Sequence, residues 1–390
     1  MIIYISIMSQ KIISSFGRAH VSRLLLSRSI ETSATLNSKA ANGEPKNLQV
    51  GDVANGYKQD STASSTTGQV QSRRAYYYSL IALSTAGIIW YLVPTNFRIN
   101  LYKMLPLRMT STLWGKLNSY DLPNWIRPRI YDFFCRTYNC DISEAIESDY
   151  KSYRNLGAFF SRRIKPDSRP ISQEPGVVSP ADGLIVHLGP IENGQVEDVK
   201  GLNYSIQAFL GLKNNSDDDN YDKQLLQNPD KNQLYHCVIY LAPGDYHGFH
   251  SPTSWQVEYR KHFPGSLLSV RPSLIRRAPE VLSINERVCY FGNWKHGFFS
   301  MTAVGATNVG SIKVNFDEEL RTNRTVWDKQ QHCFEHKFNN SVRLSAGQDF
   351  GEFNFGSTIV LIFEAPKRKT KQIIGESEKI KFGQLLARIE

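Results

Sequence analysis

Cysteine is scarce in this chain, which has five cysteines in 390 residues. Their number is odd and their spacing is irregular, which argues against the disulfide framework of a small secreted protein. They are Cys135, Cys140, Cys237, Cys289 and Cys333. The fold must therefore depend on a hydrophobic core, and a chain of this length with 41% apolar residues can form one large domain or two small ones.

Metal-ligand patterns are also lacking. His332-Cys333 with His336 has no second pair at ligand spacing, so a solvated loop or strand is favoured over zinc. The acidic run 217–219 is followed by Asp222 at the sixth position, where a calcium loop needs glycine, and no glutamate occupies the twelfth position. We therefore predict no metal site.

Acidic residues are absent before Glu31. The first thirty residues carry four basic residues among several serines and leucines, so residues 1–30 are predicted to be a mitochondrial transit peptide, with a disordered basic tail as the alternative. Without those four cations the formal charge falls from +10 to +6. A basic surface suits anionic lipid as well as nucleic acid, but no nucleic-acid-binding motif is present, so we predict no nucleic-acid partner.

Aliphatic clusters are missing from residues 31–74, which are rich in polar residues and glycine and are predicted to be a disordered linker. Charge is then missing from residues 75–93. As a helix this segment would be about 28 Å long, enough to cross a bilayer core. Tyrosines at one end and Trp90-Tyr91 at the other form interfacial aromatic belts. We predict one transmembrane helix, and a buried globular helix is the alternative.

Arg73 and Arg74, just before this helix, favour keeping its N-terminal side in the mitochondrial matrix. The prediction is a single-pass protein of the inner membrane. Residues 94–390 would then form one domain that faces the intermembrane space.

Residues 98–152 show a helical pattern. Leu122-Pro123 precedes a helical stripe of apolar residues with three arginines nearby. Such a basic amphipathic helix can lie on a lipid surface or pack on the domain, and both alternatives stay open. The stripe consists of Trp125, Ile126, Ile130, Phe133 and Phe134.

After Lys165-Pro166 the pattern changes to short β-rich runs between turn residues. Helical periodicity returns mainly over 205–210. We therefore expect an α+β fold, with N-terminal helices followed by a mainly antiparallel β core and preceded by the transmembrane helix. The strand candidates are 177–178, 184–186, 235–241, 288–290, 298–303, 312–314 and 358–363.

Gly356-Ser357 stands at the start of the strand candidate 358–363, whose six residues carry no charge and predict a strand buried on both faces. A small glycine carbonyl directly before a hydroxyl is the local geometry that lets the hydroxyl attack the preceding peptide bond. By itself, a Gly-Ser-Thr sequence entering a strand is most often only a turn.

Two further motifs contain residues that could activate this serine. Asp182 lies in the turn 179–183, and His247 and His250 follow an apolar strand candidate. A serine hydroxyl near its free pKa is a poor nucleophile, and a histidine held by a carboxylate corrects that. Asp182, His250 and Ser357 can form such a triad, although taken singly Asp182 fits a turn and His250 a loop.

Eight motifs in one order resemble the phosphatidylserine decarboxylase family, in particular its mitochondrial members. The resemblance runs from about residue 105 to residue 363. The motifs are Phe159-Phe160-Ser161-Arg162 with Lys165-Pro166 and Arg169-Pro170, Ser179-Pro180-Ala181-Asp182-Gly183, Lys200-Gly201 with Tyr204-Ser205, residues 241–250, His262-Phe263-Pro264-Gly265, Asn285-Glu286-Arg287-Val288, residues 304–312, and Phe355-Gly356-Ser357-Thr358.

The resemblance implies a proenzyme that cuts itself. His250, oriented by Asp182, would deprotonate Ser357, whose oxygen attacks the carbonyl of Gly356. Elimination and hydrolysis would then leave a pyruvoyl group at residue 357 as a covalent cofactor. A β chain ending at Gly356 and an α chain of residues 357–390 would stay together as a heterodimer.

The resemblance also implies the reaction and its partners. The pyruvoyl ketone would form a Schiff base with the amine of phosphatidylserine at the membrane surface, and carbon dioxide would leave. His247 is implied as the proton donor, or as the group that positions the carboxylate. The product would be phosphatidylethanolamine.

Two other classes of protein stay open. A serine hydrolase of lipid esters would use the same triad, but Phe355 and Ile359 replace the glycines of the Gly-x-Ser-x-Gly elbow. A membrane-tethered protein without activity would use the histidine pair only structurally. Cleavage into two chains without added protease would distinguish the decarboxylase from both.

Overall fold

The computed structural model of the protein describes residues 107–191, 195–196, 204–212, 224–306, 311–324, 332–354 and 356–390. The predicted transit peptide (1–30), linker (31–74) and transmembrane helix (75–93) lie outside these residues. Within the described ranges, no helix is both long and apolar enough to cross a membrane.

Helices dominate the first part of the described chain. A helix over Ile206–Leu210 forms where the sequence predicted it, because the side chain of Ser205 accepts the backbone N–H of Ala208 at its start and Gly211, at φ 60°, ends it. The α-helices are α1 Leu107–Ser119, α2 Arg127–Tyr138, α3 Leu156–Phe160, α4 Ile206–Leu210, α5 Pro272–Ile275 and α6 Val281–Ile284, with 3-10 turns at Tyr150–Ser152 and Pro166–Ser168.

Strands dominate from residue 176 onward. All seven predicted runs form strands, and most of these strands extend beyond the predicted limits. The strands are β1 Gly176–Val178, β2 Gly183–Pro190, β3 Gln195–Val196, β4 Tyr204–Ser205, β5 Asn232–Tyr240, β6 Gly248–His250, β7 Trp255–Phe263, β8 Arg287–Trp294, β9 Gly297–Val304, β10 Ile312–Val314, β11 Phe334–Leu344, β12 Asp349–Phe353, β13 Thr358–Pro366, β14 Thr370–Gln372, β15 Lys379–Ile380 and β16 Leu385–Ile389.

The strands pair in antiparallel fashion. The largest sheet has eight strands in the order β11-β7-β8-β9-β13-β5-β2-β15. Smaller sheets join β1-β16-β14, β10-β12-β6 and β3-β4. The prediction of an α+β fold with leading helices and an antiparallel β core is confirmed for the described part of the chain.

Strand β13 lies inside the large sheet, between β5 and β9. Its first eight residues are buried, so the prediction of a strand covered on both faces is confirmed. The strand continues past residue 363 even though Glu364 is charged. The carboxylate of Glu364 accepts three backbone N–H groups and the amide of Asn232, which offsets the cost of burying it.

Among the strands that sequence reasoning missed are β7 and β11. Strand β7 contains Glu258, Arg260 and Lys261, so no apolar run marks it, yet Arg260 is buried against Asp317 at 2.5 Å. Strand β11 lies at the edge of the large sheet, and only its last residue, Leu344, is buried. An edge strand with little buried surface lacks the apolar signal on which strand prediction depends.

The predicted apolar stripe around α2 does not form one buried face. The helix buries Tyr131, Phe134 and Cys135, whereas Trp125 and Phe133 are 69% and 54% exposed. Helix α1 has a similar exposed row, at Met109, Leu113 and Leu117. These spacings of four place the three side chains on one side of α1.

Candidate active site

Gly356-Ser357 is held where two neighbouring strands of the large sheet meet. Strand β5 ends opposite the start of β13, with Tyr240 paired with Thr358. One residue beyond that pair, the N–H of Leu241 donates to the carbonyl oxygen of Ser357 at 2.9 Å. The chain following β5 therefore lies directly against the Gly356-Ser357 bond.

Ser357 is fully buried, and its hydroxyl has no hydrogen-bond partner among the described residues. Gly356 is tightly enclosed on the same side. A Cβ atom at residue 356 would lie 3.1 Å from the carbonyl oxygen of Leu241 and 3.6 Å from Nε2 of His247. Glycine thus lets the backbone approach this wall closely, and the nearest ring nitrogen there belongs to His247.

His247 is positioned by a tight turn after β5. The N–H of Ala242 donates to the carboxylate of Asp245 at 2.7 Å, and the N–H of Asp245 donates to the carbonyl of Ala242 at 2.9 Å. This turn presents the carbonyl of Asp245 to Nδ1 of His247 at 2.7 Å. A carbonyl only accepts, so Nδ1 carries the proton and Nε2 carries the lone pair.

The surroundings of His247 keep it neutral. Its side chain is fully buried, and burial lowers its pKa to about 3. The ring of Phe160 lies 4.2 Å away, centroid to centroid. Nε2 has no hydrogen-bond partner among the described residues. His247 therefore presents a free proton acceptor next to Gly356.

His250, at the end of β6, has a different environment. Its Nδ1 lies 3.2 Å from the carbonyl of Gly347, which requires a proton on Nδ1, and its Nε2 then accepts the hydroxyl of Tyr246 at 3.2 Å. The ring stacks on Phe382 at 3.7 Å. Burial lowers the pKa of His250 to about 4, so this imidazole is also neutral near pH 7.

Asp182 contacts neither histidine through a hydrogen bond in the described part of the chain. Its carboxylate accepts Nε and Nη2 of Arg169, the latter at 2.6 Å, and the backbone N–H of Phe382 at 2.8 Å. Arg169 also pairs with Glu144 at 2.6 Å. Asp182 is linked to His250 through the backbone N–H of Phe382, whose ring stacks on His250. Burial lowers the pKa of His250, and the charge of Asp182 opposes this lowering less than the charge of Asp349 does.

The structure thus brings Gly356, Ser357 and His247 together, and it places His250 and Asp182 in an adjoining network. The hydrogen-bonded chain from Asp182 through His250 to Ser357, expected from the sequence, is not formed in this conformation. Sequence reasoning missed Tyr246 and Phe382. Tyr246 lies within a quoted motif, whereas nothing near Phe382 in the sequence marks it.

A cavity of about 430 Å³ is lined by residues 244–246 of the turn that carries His247. Its wall also contains Asp182, Arg162 and Arg169. Within the described ranges, no group of three or more histidine, cysteine, aspartate or glutamate side chains is placed to hold a metal ion.

Comparison with known proteins identifies the family. A family model described as phosphatidylserine decarboxylase matches residues 156–388. The mitochondrial phosphatidylserine decarboxylase proenzyme of Pongo abelii is 46% identical over 304 residues, which covers 75% of this chain and 74% of that protein. The corresponding proenzyme of Rattus norvegicus is 45% identical over 305 residues, with 75% of each chain covered.

A more distant relative gives the same result. Phosphatidylserine decarboxylase proenzyme 1 of Saccharomyces cerevisiae, also mitochondrial, is 37% identical over 371 residues, covering 75% of this chain and 74% of that protein. The matched region includes the antiparallel core and the buried Gly356-Ser357 junction. The chain belongs to the phosphatidylserine decarboxylase family, and the prediction of this family and of decarboxylase activity is confirmed.

Proposed function

We propose that this chain is a proenzyme that cuts itself after Gly356 and then decarboxylates phosphatidylserine with a pyruvoyl group derived from Ser357. One observation carries the proposal. The junction combines an unpaired buried hydroxyl, a glycine in close contact with its surroundings and a neutral imidazole with a free Nε2. The Ser357 hydroxyl makes no hydrogen bond that stabilises the fold, as expected of a side chain that is consumed during maturation.

Maturation begins at Ser357. Its oxygen attacks the carbonyl carbon of Gly356 while a base removes the hydroxyl proton, and the peptide bond is replaced by an ester. Elimination then removes the Cα proton of residue 357 and breaks its Cβ–Oγ bond, which leaves Gly356 as a carboxylate and residue 357 as dehydroalanine. Water then replaces the nitrogen at residue 357, which departs as ammonia, and a pyruvoyl group remains.

We assign the base of this step to His250, with Asp182 as the charge that supports it. His250 is neutral above about pH 4 and so can accept a proton. Its Nε2 accepts the Tyr246 hydroxyl in the present conformation, so this hydroxyl must release the nitrogen before it can act. Asp182 would stabilise the imidazolium through charge and by holding the backbone of Phe382.

The site fits a pyruvoyl group at residue 357, because the residue is enclosed and His247 faces the preceding glycine. Such a group supplies a ketone that captures an amine and withdraws electrons as carbon dioxide leaves. His247 supplies proton transfer. Its free Nε2 can take a proton from the substrate ammonium group and return it to the substrate carbon after decarboxylation.

Two chains would result, and the fold keeps them together. The α chain, residues 357–390, would supply β13, which pairs with β5 on one side and β9 on the other. It would also supply β16, which pairs with β1. These contacts support an αβ heterodimer.

The substrate is a membrane lipid, and α1 and α2 offer a surface for it. The exposed apolar row on α1, with Trp125 and Phe133, suits insertion among lipid headgroups. Lys116 and Arg129 lie on the same two helices and suit anionic lipid. The relatives are named mitochondrial. Their names, this lipid-facing surface and the uncharged segment 75–93 after Arg73-Arg74 together support an inner-membrane protein that faces the intermembrane space.

Intact-mass spectrometry of the C-terminal fragment tests the proposal. We expect a fragment that starts at residue 357 and carries a pyruvoyl terminus, together with release of carbon dioxide from phosphatidylserine vesicles. A C-terminal fragment that starts with an ordinary serine would contradict the cofactor, and an intact chain would contradict self-cleavage.

Fractionation of mitochondria tests the location. The β chain should stay in the membrane under alkaline carbonate, and protease should reach the domain only after the outer membrane is ruptured. Release of the β chain into the soluble fraction would contradict the membrane span.

A further inference from the structure

Arg162, just after α3, has a buried guanidinium whose hydrogen bonds are incomplete. The residue is 4% exposed. Its Nη2 donates to the carbonyls of Gly244 at 3.0 Å and Asp245 at 3.4 Å. Its Nε and Nη1 have no hydrogen-bond partner among the described residues, although the guanidinium carbon lies 5.5 Å from the centroid of the Phe159 ring. A guanidinium carries five N–H donors, and leaving some of them buried without an acceptor is costly.

Three acidic groups of the cavity wall are engaged by other residues, and a fourth, Asp141, accepts the N–H of Ser143. Arg162 lines the cavity of about 430 Å³ together with Asp182, Glu144 and Asp245. Asp182 and Glu144 bind Arg169, and Lys381 also binds Glu144. The carboxylate of Asp245 accepts the N–H of Ala242. The donors left without an acceptor on this wall are therefore cationic, and their chemical complement is an anion.

Arg162 and the residues at the cleavage junction meet at one carbonyl group. The carbonyl oxygen of Asp245 is 3.4 Å from Nη2 of Arg162 and 2.7 Å from Nδ1 of His247. These two side-chain nitrogens are thus at most about 6 Å apart. Nε2 of the same imidazole faces Gly356. An anion bound to Arg162 would lie on the same turn as the imidazole that faces Gly356.

We propose that Nε and Nη1 of Arg162 form the subsite for the phosphodiester of the aminophospholipid substrate. This inference rests on the proposed function. In the headgroup, four covalent bonds separate the amine nitrogen from phosphorus, a span of about 5 Å. With the amine at residue 357, the proposal places the phosphodiester on the Arg162 side of the turn, and cleavage after Gly356 would separate the two chain ends at this junction.

The headgroup has a second anion, the carboxylate, but the chemistry assigns Arg162 to the phosphodiester. Charge leaves the carboxylate as carbon dioxide forms. A cation bound there would stabilise the ground state more than the transition state and slow the reaction. The phosphodiester keeps its charge throughout, so a cation bound to it strengthens substrate binding without opposing the chemical step.

The first test compares Arg162→Lys with Arg343→Lys, which changes an exposed arginine on β11. Arg162→Lys keeps a positive charge but loses the planar donor edge. We expect complete cleavage, a KM for phosphatidylserine raised about tenfold or more and a nearly unchanged kcat, because phosphodiester binding is uniform along the reaction. Arg343→Lys should match the parent enzyme. An unchanged KM, or a loss confined to kcat, would overturn the proposal.

The second test uses the unmodified mature enzyme, so it does not depend on the folding of a variant. Dimethyl phosphate, a phosphodiester monoanion, should inhibit competitively, and acetate at the same concentration should inhibit several-fold less. Inhibition by inorganic phosphate without inhibition by dimethyl phosphate would indicate a free-phosphate site and overturn the assignment. Lack of inhibition by both phosphates would also overturn it.

Failure of the proposed function can be distinguished from failure of the phosphodiester subsite. Without self-cleavage and turnover in the parent chain, the proposed function is wrong. With normal cleavage and turnover in the parent chain but equal KM values for Arg162→Lys and Arg343→Lys, only the phosphodiester subsite is wrong.

Discussion

His247 and His250 are three residues apart, yet their surroundings differ in one decisive respect. Both are buried and both are neutral near pH 7, because burial lowers their pKa values to about 3 and about 4. His247 has a free Nε2 beside Gly356. Both nitrogens of His250 are engaged, one by a carbonyl and one by a hydroxyl. Burial alone therefore does not decide what an imidazole can do.

The difference suggests a division of labour. The free nitrogen of His247 is available to groups that form or bind at residue 357. His250 sits in a network with Tyr246, Asp182 and Phe382 that must rearrange before its Nε2 can act, which suits an event that happens once. Removing the groups around each histidine, one at a time, tests this division of labour.

The largest effect should come from Ser357→Ala. No hydroxyl then remains to attack Gly356 or to give its proton to a histidine. The chain should therefore remain a single species of 44.4 kDa before import processing, without detectable cleavage. Denaturing gel electrophoresis of the purified protein measures this directly. Ser300→Ala is a matched control, since Ser300 is also buried with an unpaired hydroxyl but lies on β9. Cleavage of Ser357→Ala after Gly356 would disprove self-cleavage by Ser357.

Removal of the proposed base comes next. His250→Ala should slow cleavage about 10² to 10⁴-fold, the usual contribution of a positioned general base. Pulse-chase labelling gives the rate, and Asp182→Ala should slow the same step by depriving the imidazolium of its nearby charge. If His250→Ala were cut at the parent rate, the base would have to be another group, and the free nitrogen of His247 is the nearest one described.

His247→Ala should show the opposite pattern. We expect normal cleavage and a pyruvoyl terminus, with phosphatidylethanolamine formation reduced about 10² to 10⁴-fold because proton transfer at the substrate is lost. Mass spectrometry and release of carbon dioxide separate the two outcomes. An uncut His247→Ala chain would move this residue into maturation, and full turnover would remove it from the mechanism.

A smaller effect should appear in the pH dependence of cleavage. The active form of His250 is neutral, and burial lowers its pKa to about 4 in the parent chain. The cleavage rate of the parent should therefore stay nearly constant down to about pH 5. Phe382→Ala removes the stacked ring, admits water and raises that pKa toward about 6.5, so at pH 5.5 the variant should cut about tenfold more slowly than at pH 8. Phe338→Ala, a partly buried ring on β11, is the control.

Identical pH profiles for Phe382→Ala and the parent would show that the stacked ring does not set the protonation of His250.

The smallest effect should come from Tyr246→Phe. This change frees Nε2 of His250 at the cost of one hydrogen bond, a difference of about 1 kcal/mol, so cleavage should accelerate a few-fold. Time-resolved gels after synthesis in a cell-free system measure this. Tyr259→Phe, on β7, serves as control. Slower cleavage of Tyr246→Phe would mean that the hydroxyl takes part in maturation.

Much of this architecture was predictable from local sequence. The uncharged run at 358–363 predicted β13, and Gly356-Ser357 marked its start, because both signals depend on adjacent residues. The partners of the histidines were not predictable. Gly347 and Phe382, which contact His250, lie 97 and 132 residues after it in the sequence, and only the folded sheet brings them together.

The same limit explains why a triad was expected from the sequence. Asp182 and His250 are of the right residue types, but spacing along a chain cannot show that Arg169 and the N–H of Phe382 occupy the carboxylate. The edge strand β11 was missed for a different reason, because it buries only one residue and carries no apolar pattern.

The position of β13 between β5 and β9 has a consequence for the lifetime of the enzyme. Before the cut, unfolding is reversible in principle, since the strand stays attached to the rest of the sheet. After the cut, the short fragment that carries β13 can diffuse away, and reassembly becomes a bimolecular reaction that depends on protein concentration. In the proposed scheme the fragment would carry the pyruvoyl group with it, so an active enzyme could re-form only as fast as the two chains meet again. The working lifetime of each molecule would then depend on its rate of unfolding and on protein concentration.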